Sequence, residues 1–165
     1  MHKLTIEQWI NDTIVGSESD WMIAVFKVAG IFTDGNGIKR QVVSQHSQFY
    51  RAVDWTIQSS KRKLKFNKMK FIPFAGGDSS AGISAHIHAF IEISPQSSFA
   101  ASRSVLNDYW DDMPRRAFKT AVTPLLWTDK LDKSQAKNHI YYCSRYEGFI
   151  MGADKVLVNL KSCHL

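Results

Sequence analysis

The sequence predicts an α+β fold in which an antiparallel sheet is covered by helices on one face. Three observations carry this expectation. The hydrophobic period switches between two and 3.6 along the chain, in the order strand, helix, strand hairpin, helix, short strand, helix. Two apolar strands flank one glycine-rich turn, the mark of an antiparallel hairpin. The chain has 165 residues, 44% hydrophobic and 22% charged, enough for a substantial core and unlike a disordered polymer.

Leu4, Trp9, Ile10 and Ile14 suit an amphipathic helix over about 4–15, with Thr5 as a cap. Residues 20–32 carry one charge after Asp20 and are rich in strand formers, so they read as a buried strand. Asp34-Gly35-Asn36-Gly37 reads as a turn. From about Arg40 to Ser60, apolar Val42, Val43, Phe49, Tyr50, Val53 and Ile57 recur at steps of three and four, which predicts a helix. Met69–Phe74 and Ile83–Ile93 form the hairpin around the turn Gly76-Gly77-Asp78-Ser79-Ser80. Phe99–Met113 is expected as a helix, Val122–Trp127 as a short strand and Ser134 to about Tyr146 as a helix; Phe149–Leu160 has no clear period. No repeat or composition break divides the chain, so residues 1–165 are read as one domain, the first helix forming an extension.

Composition narrows the function classes. No run of about 18 apolar residues exists, so no membrane partner is expected. Glu7, Asp12, Glu18 and Asp20 precede any apolar stretch, unlike a secretion signal. Two cysteines, Cys143 and Cys163, exclude a disulfide scaffold and four-cysteine zinc sites. The net charge of +6 attracts polyanions. Lys61, Arg62, Lys63, Lys65, Lys68 and Lys70 concentrate it in ten residues, either a solvated helix end or a phosphate-binding run. Phe66 and Trp127 are expected in the core, with base stacking as the alternative. The glycine-rich turn lacks the Gly-Lys-Ser/Thr ending of a nucleotide loop.

Two segments carry chemistry. In ISAHIHAFIEI, strand alternation puts His86, His88, Phe90 and Glu92 on one side and Ile87, Ala89, Ile91 and Ile93 on the core side. Two imidazoles whose Cα atoms lie about 7 Å apart on a rigid strand suit two neighbouring positions on one divalent metal. A structural pair on a polar sheet face is the alternative. Near the end of the chain, Tyr142, Arg145 and Tyr146 share one helix face. A phenol flanked by a guanidinium is a plausible nucleophile toward a phosphodiester, the guanidinium neutralising phosphate oxygens. The alternative is an amphipathic helix burying its tyrosines.

A strand with His-hydrophobic-His, some fifty residues, then a helix with Tyr-x-x-basic resembles the HUH endonuclease superfamily, and within it the nuclease domains of rolling-circle replication initiators (Rep). HIHAFIEI is similar to their histidine strand. YCSRYEG resembles the Tyr-Cys-Ser-Lys-Glu-Gly stretch of circovirus-type initiators, with Arg145 for lysine and Tyr146 inserted. The resemblance spans about residues 20–150, and the first strand matches only in position. It implies a ferredoxin-like, RRM-like sandwich and metal-dependent, sequence-specific nicking and joining of single-strand DNA through a 5′-phosphotyrosine. It further implies Mg²⁺ or Mn²⁺ on His86, His88 and an acid. The usual ligand position on the preceding strand holds Phe74-Ala75-Gly76-Gly77, so the candidates are Asp78, the nearest acid and narrowly preferred, and Glu92 on the histidine face. Tyr142 is the expected nucleophile over its neighbour Tyr141. The Tyr142–Tyr146 spacing also resembles two-tyrosine phage initiators, though Phe149 stands where their following lysine belongs. The implied partners are single-stranded or origin-hairpin DNA and a host or replicon helicase and polymerase. The implied location is the cytoplasm of a bacterial or archaeal cell, for a plasmid or phage protein, or a host nucleus, for a eukaryotic virus.

Three rivals stand beside it. A single-tyrosine HUH transposase or relaxase shares the chemistry. A histidine-triad nucleotide hydrolase needs a third histidine where Phe90 stands. A non-catalytic single-strand nucleic-acid-binding module explains charge and aromatics alone.

Overall fold

The computed structural model describes residues 3–29, 31–33, 36, 39–41, 46–78, 83–119 and 121–146. The elements in chain order are α1 (Lys3–Val15), β1 (Trp21–Ala29), β2 (Ile31–Thr33), β3 (Lys39–Gln41), α2 (His46–Lys63), β4 (Phe71–Asp78), β5 (Ile83–Glu92), α3 (Phe99–Phe118), β6 (Thr123–Lys130) and α4 (Ala136–Tyr146). Four strands form one antiparallel sheet in the order β4-β5-β1-β6. With α2 and α3 as crossovers, this is the βαββαβ arrangement of a ferredoxin-like sandwich. The small β2–β3 ribbon and α1 are additions to that frame.

β1 explains why both faces of the sheet are covered. Its Met22, Ala24, Phe26 and Val28 enter a core with Ile87, Ala89, Ile91 and the apolar stripes of α2 and α3. Phe49, Ala52, Val53 and Ile57 supply the α2 stripe at helical spacing. Trp110 of α3 anchors this core, its ring edge-on to Phe26 at 4.9 Å and to Phe49 at 5.9 Å. The indole Nε1–H of Trp110 also donates to the Leu125 carbonyl at 3.0 Å, tying α3 to the edge strand β6. On the other face, Trp21, Ile23, Ile72, Phe74 and Phe90 meet Ile10 and Ile14 of α1 and Ala136, Ile140 and Cys143 of α4. The expectation of helices on one face is therefore corrected. α1 and α4 cover part of the second face, and their apolar residues leave the sheet no fully solvated side.

The boundaries moved for local reasons. The helix expected from Arg40 begins at His46, because Lys39–Gln41 pairs with Ile31–Thr33 as strand β3; Val42 and Val43 lie outside the described residues, as do Gly35 and Gly37 of the expected turn. Thr5 lies inside α1, not before it. Gly76, Gly77 and Asp78, read as a turn, belong to β4, which runs past Phe74 with a β-bulge between Gly76 and Asp78. α3 continues through Pro114 to Phe118. Pro114 costs one helical hydrogen bond, yet it is buried on the stripe with Leu106, Trp110, Ala117 and Phe118, and packing carries the helix another turn. Ser98 caps its start, accepting the Ala101 N–H at 3.0 Å, and Lys119 closes it in the left-handed region. Residues 149–160 lie outside the described residues. Among the described residues, no helix is long and apolar enough to cross a membrane.

Candidate active site

β5 presents His86 and His88 on the same face as Phe90, and their half-buried rings sit 5.1 Å apart, centre to centre. Across the sheet, Gly76 of β4 and Lys27 of β1 flank His86, while Phe74 and Val25 flank His88. Phe90, the next residue on this face of β5, packs with Ile10 and Ile14 of α1 and Ile140 of α4.

The spacing agrees with a shared cation. Imidazoles bonding one ion through nitrogens at about 2.1 Å have ring centres about 3.2 Å from it, hence about 4.5–5.2 Å from each other at bond angles of 90–109°. Protonation agrees as well. Burial first, then the neighbouring His86 and Lys27, push the His88 imidazole down to about 4, so it is neutral at physiological pH, as a ligand must be.

The expected acids stand differently. Asp78 lies in β4, paired with Ile83 just beyond the bulge; its side chain is outside the described residues. Glu92 is four residues beyond His88, about 13 Å along the strand. It is 7% exposed and its carboxylate accepts the Lys70 N–H at 3.1 Å, at the far end of β5 from His86. Glu92 is thus tied to the loop before β4 and is not brought to the histidines. Among the described residues no group of three His, Cys, Asp or Glu side chains comes together.

α4 supplies the phenol. Its Ala136, Ile140 and Cys143 face the sheet at helical spacing, which fixes the rotation of the helix. That rotation brings the Tyr142 ring to 6.0 Å from the His88 ring, with 54% of the residue exposed. Tyr141, next in line, turns instead to the groove between α4 and α1, beside Trp9 and Asp12. Arg145 and Tyr146 lie one turn further on α4, and their side chains are outside the described residues.

The basic run is split from this site. Lys61, Arg62 and Lys63 end α2, on the other face of the sheet, and Lys65, Lys68 and Lys70 lead into the start of β4. Arg62, Lys63, Lys65 and Lys68 are exposed, Lys70 is half-buried, and Lys61 is 3% exposed. β4 reaches the His88 row three residues after Phe71 and the His86 row five residues after it, about 10 and 16 Å on.

Two residues reach the neighbourhood of the histidines through strand pairing. Lys27 is the only charge in β1, and strand pairing alone reveals that it neighbours His86. Trp127, expected in the core, is 54% exposed, and strand pairing sets it in line with Val25 and His88. Its alternation with Leu126, which packs on the core, was the available clue. Phe66 does pack against the core as expected. No protein-family profile, curated protein or solved structure matches the chain.

Proposed function

We propose that the protein is a metal-dependent endonuclease and strand transferase acting on single-strand DNA, with Tyr142 as nucleophile, of the rolling-circle initiator kind. The observation that carries the proposal is the Tyr142 ring 6.0 Å from the ring of His88, which itself lies 5.1 Å from the ring of His86. Neither a structural histidine pair nor a core tyrosine requires that meeting, and Tyr142 is half exposed where core packing would hide it.

His86 and His88 would hold Mg²⁺ or Mn²⁺, with Asp78 as the third ligand. Held there, the ion would supply Lewis-acid polarisation of a phosphate ester. The Tyr142 oxygen attacks phosphorus in line, forming the tyrosyl P–O bond as the P–O3′ bond breaks. The phenol proton passes to solvent, and the leaving 3′-oxygen takes one up, giving a 5′-phosphotyrosine and a free 3′-hydroxyl. The new ester conserves the bond energy, so attack by a 3′-hydroxyl rejoins strands without a nucleotide. Arg145, one turn along α4, would neutralise a phosphate oxygen, and Tyr146 is the candidate for a second transfer. The 3′-hydroxyl suits a polymerase primer, and duplex opening falls to a helicase.

The test is incubation of a library of labelled single-strand oligonucleotides with Mn²⁺, read as a covalent protein–DNA band on a denaturing gel. The proposal expects a band from the wild-type chain and none from Tyr142→Phe. A Tyr142→Phe protein that forms the adduct in normal yield removes Tyr142 from the role; no adduct from any oligonucleotide removes the activity.

A further inference from the structure

The exposed strip of β6 continues the row of the histidines across the sheet. Trp127 pairs with Val25, which pairs with His88; Leu125 pairs with Lys27, which pairs with His86. Paired residues share a face, so Trp127 and Leu125 lie on the histidine side, two strands away, about 10 Å. Both are large, apolar and about half exposed, 54% and 49%. Two neighbouring apolar side chains exposed on one face of a strand offer a flat contact surface.

We infer that Trp127 and Leu125 form a base-stacking ledge for the single strand whose phosphate reaches His86 and His88. The inference rests on the single-strand DNA reading above and adds to it a path and a residue that determines affinity. Four observations support it. The ledge is continuous with the candidate site through the register of three strands. The exposed Lys27 lies between Leu125 and His86, placed to neutralise a phosphate between the stacked base and the reacting one. The interval of about 10 Å takes about three nucleotides at a stacked rise of 3.4 Å, and fewer where the strand is extended. The ledge is also rigid, because the Leu125 carbonyl is held by Trp110 and Leu126 packs on the core beneath.

Charge gives the path a direction. Asp129 is the next residue on the same face of β6 and is exposed. A carboxylate there repels a phosphate backbone, so the strand leaves the ledge on the Leu125 side, over Lys27, and not toward Asp129.

The test uses the full chain in the Tyr142→Phe background, so that no turnover disturbs equilibrium, with fluorescein-labelled oligothymidylate and an abasic deoxyribose-phosphate chain of equal length. Fluorescence anisotropy of Trp127→Ala is expected to show about tenfold weaker binding of oligothymidylate and unchanged binding of the abasic chain. Trp127→Phe is expected to restore most of the affinity, and circular dichroism checks that each variant is folded. Equal losses on both chains, or no loss on either, overturn the ledge. Sedimentation that shows a wild-type dimer broken by Trp127→Ala, with oligothymidylate binding unchanged, assigns the strip to a second copy and also overturns it. The binding assay needs no cleavage: a ledge that behaves as expected in a protein that never nicks sinks the nuclease reading alone.

Discussion

The Tyr142 and His88 rings meet at 6.0 Å across the gap between α4 and β5, while the adjacent Tyr141 faces the α1 groove. The two tyrosines have the same chemistry and nearly equal exposure, so rotation of the helix alone separates them. Tyr142→Phe should lower adduct formation by more than about a hundredfold, since no nucleophile remains. Tyr141→Phe should leave it within about twofold. Thermal unfolding of either variant should stay within about 0.5 kcal/mol of wild type, as for exposed positions. An adduct that survives Tyr142→Phe and is lost in Tyr141→Phe reverses the assignment.

Two imidazoles at chelating distance predict a cation site that needs both. Titration calorimetry with Mn²⁺ should show one specific site in the wild type. His86→Ala and His88→Ala should each weaken it by tenfold or more, and the double variant should show none. Zn²⁺ should bind more tightly than Mn²⁺, as nitrogen ligands favour it. A protein that binds DNA but shows no specific divalent site fits the non-catalytic module.

The low position of His88 predicts an acid sensitivity in metal-free protein. Between about pH 6.5 and 4 the unfolded chain carries a proton on this imidazole that the folded chain does not, so stability falls as pH is lowered through that window. The ring is only half-buried, and allowing for solvent screening the loss is about 1–2 kcal/mol. Urea unfolding in EDTA should show this decline, and His88→Gln should flatten it. An equal decline in the variant assigns the effect to other groups.

The order of strands and helices was legible because each element wrote its own period: β1 as an apolar run broken only by Lys27, α2 as a stripe, β5 as alternation around the two histidines. The same alternation put both histidines on one face. What stayed hidden depended on other parts of the chain. Phe90, on the histidine face, reads as an exposed aromatic until α1 and α4 bury it. Glu92 has the parity of His86, yet strand length carries it to the other end of the sheet, where Lys70 engages it. Lys61–Lys70 is contiguous in sequence, but the turn from α2 into β4 sets it away from the chemistry. Pro114 and Gly76-Gly77 carry local stop signals that tertiary packing and strand pairing outweigh.

Because α4 is held to the sheet by Ile140 and Cys143, the position of Tyr142 is expected to depend on them. Ile140→Ala removes a buried side chain and should cost about 2–5 kcal/mol of unfolding free energy. At a temperature where the variant remains folded, the rate of adduct formation should drop at least tenfold while Mn²⁺ affinity stays near wild type, since β5 is untouched. Equal falls in both would mean that the whole face has loosened, and that α4 is not a separable positioning element.

The separation of the basic run from the histidines predicts a division of labour. Arg62, Lys63, Lys65 and Lys68 point into solvent about a strand's length from His86, close enough to hold backbone phosphates and too far to touch the scissile one. Replacing Lys63, Lys65 and Lys68 by Gln should weaken single-strand binding about equally for every sequence and flatten its dependence on salt by up to about two counterions, at roughly 0.7 per phosphate contact. The rate of adduct formation at saturating DNA should remain within about twofold, because no removed charge faces the phosphorus. A triple variant that saturates normally but reacts at least tenfold more slowly would place these lysines at the reacting phosphate, which the strand register forbids without a rearrangement of β4.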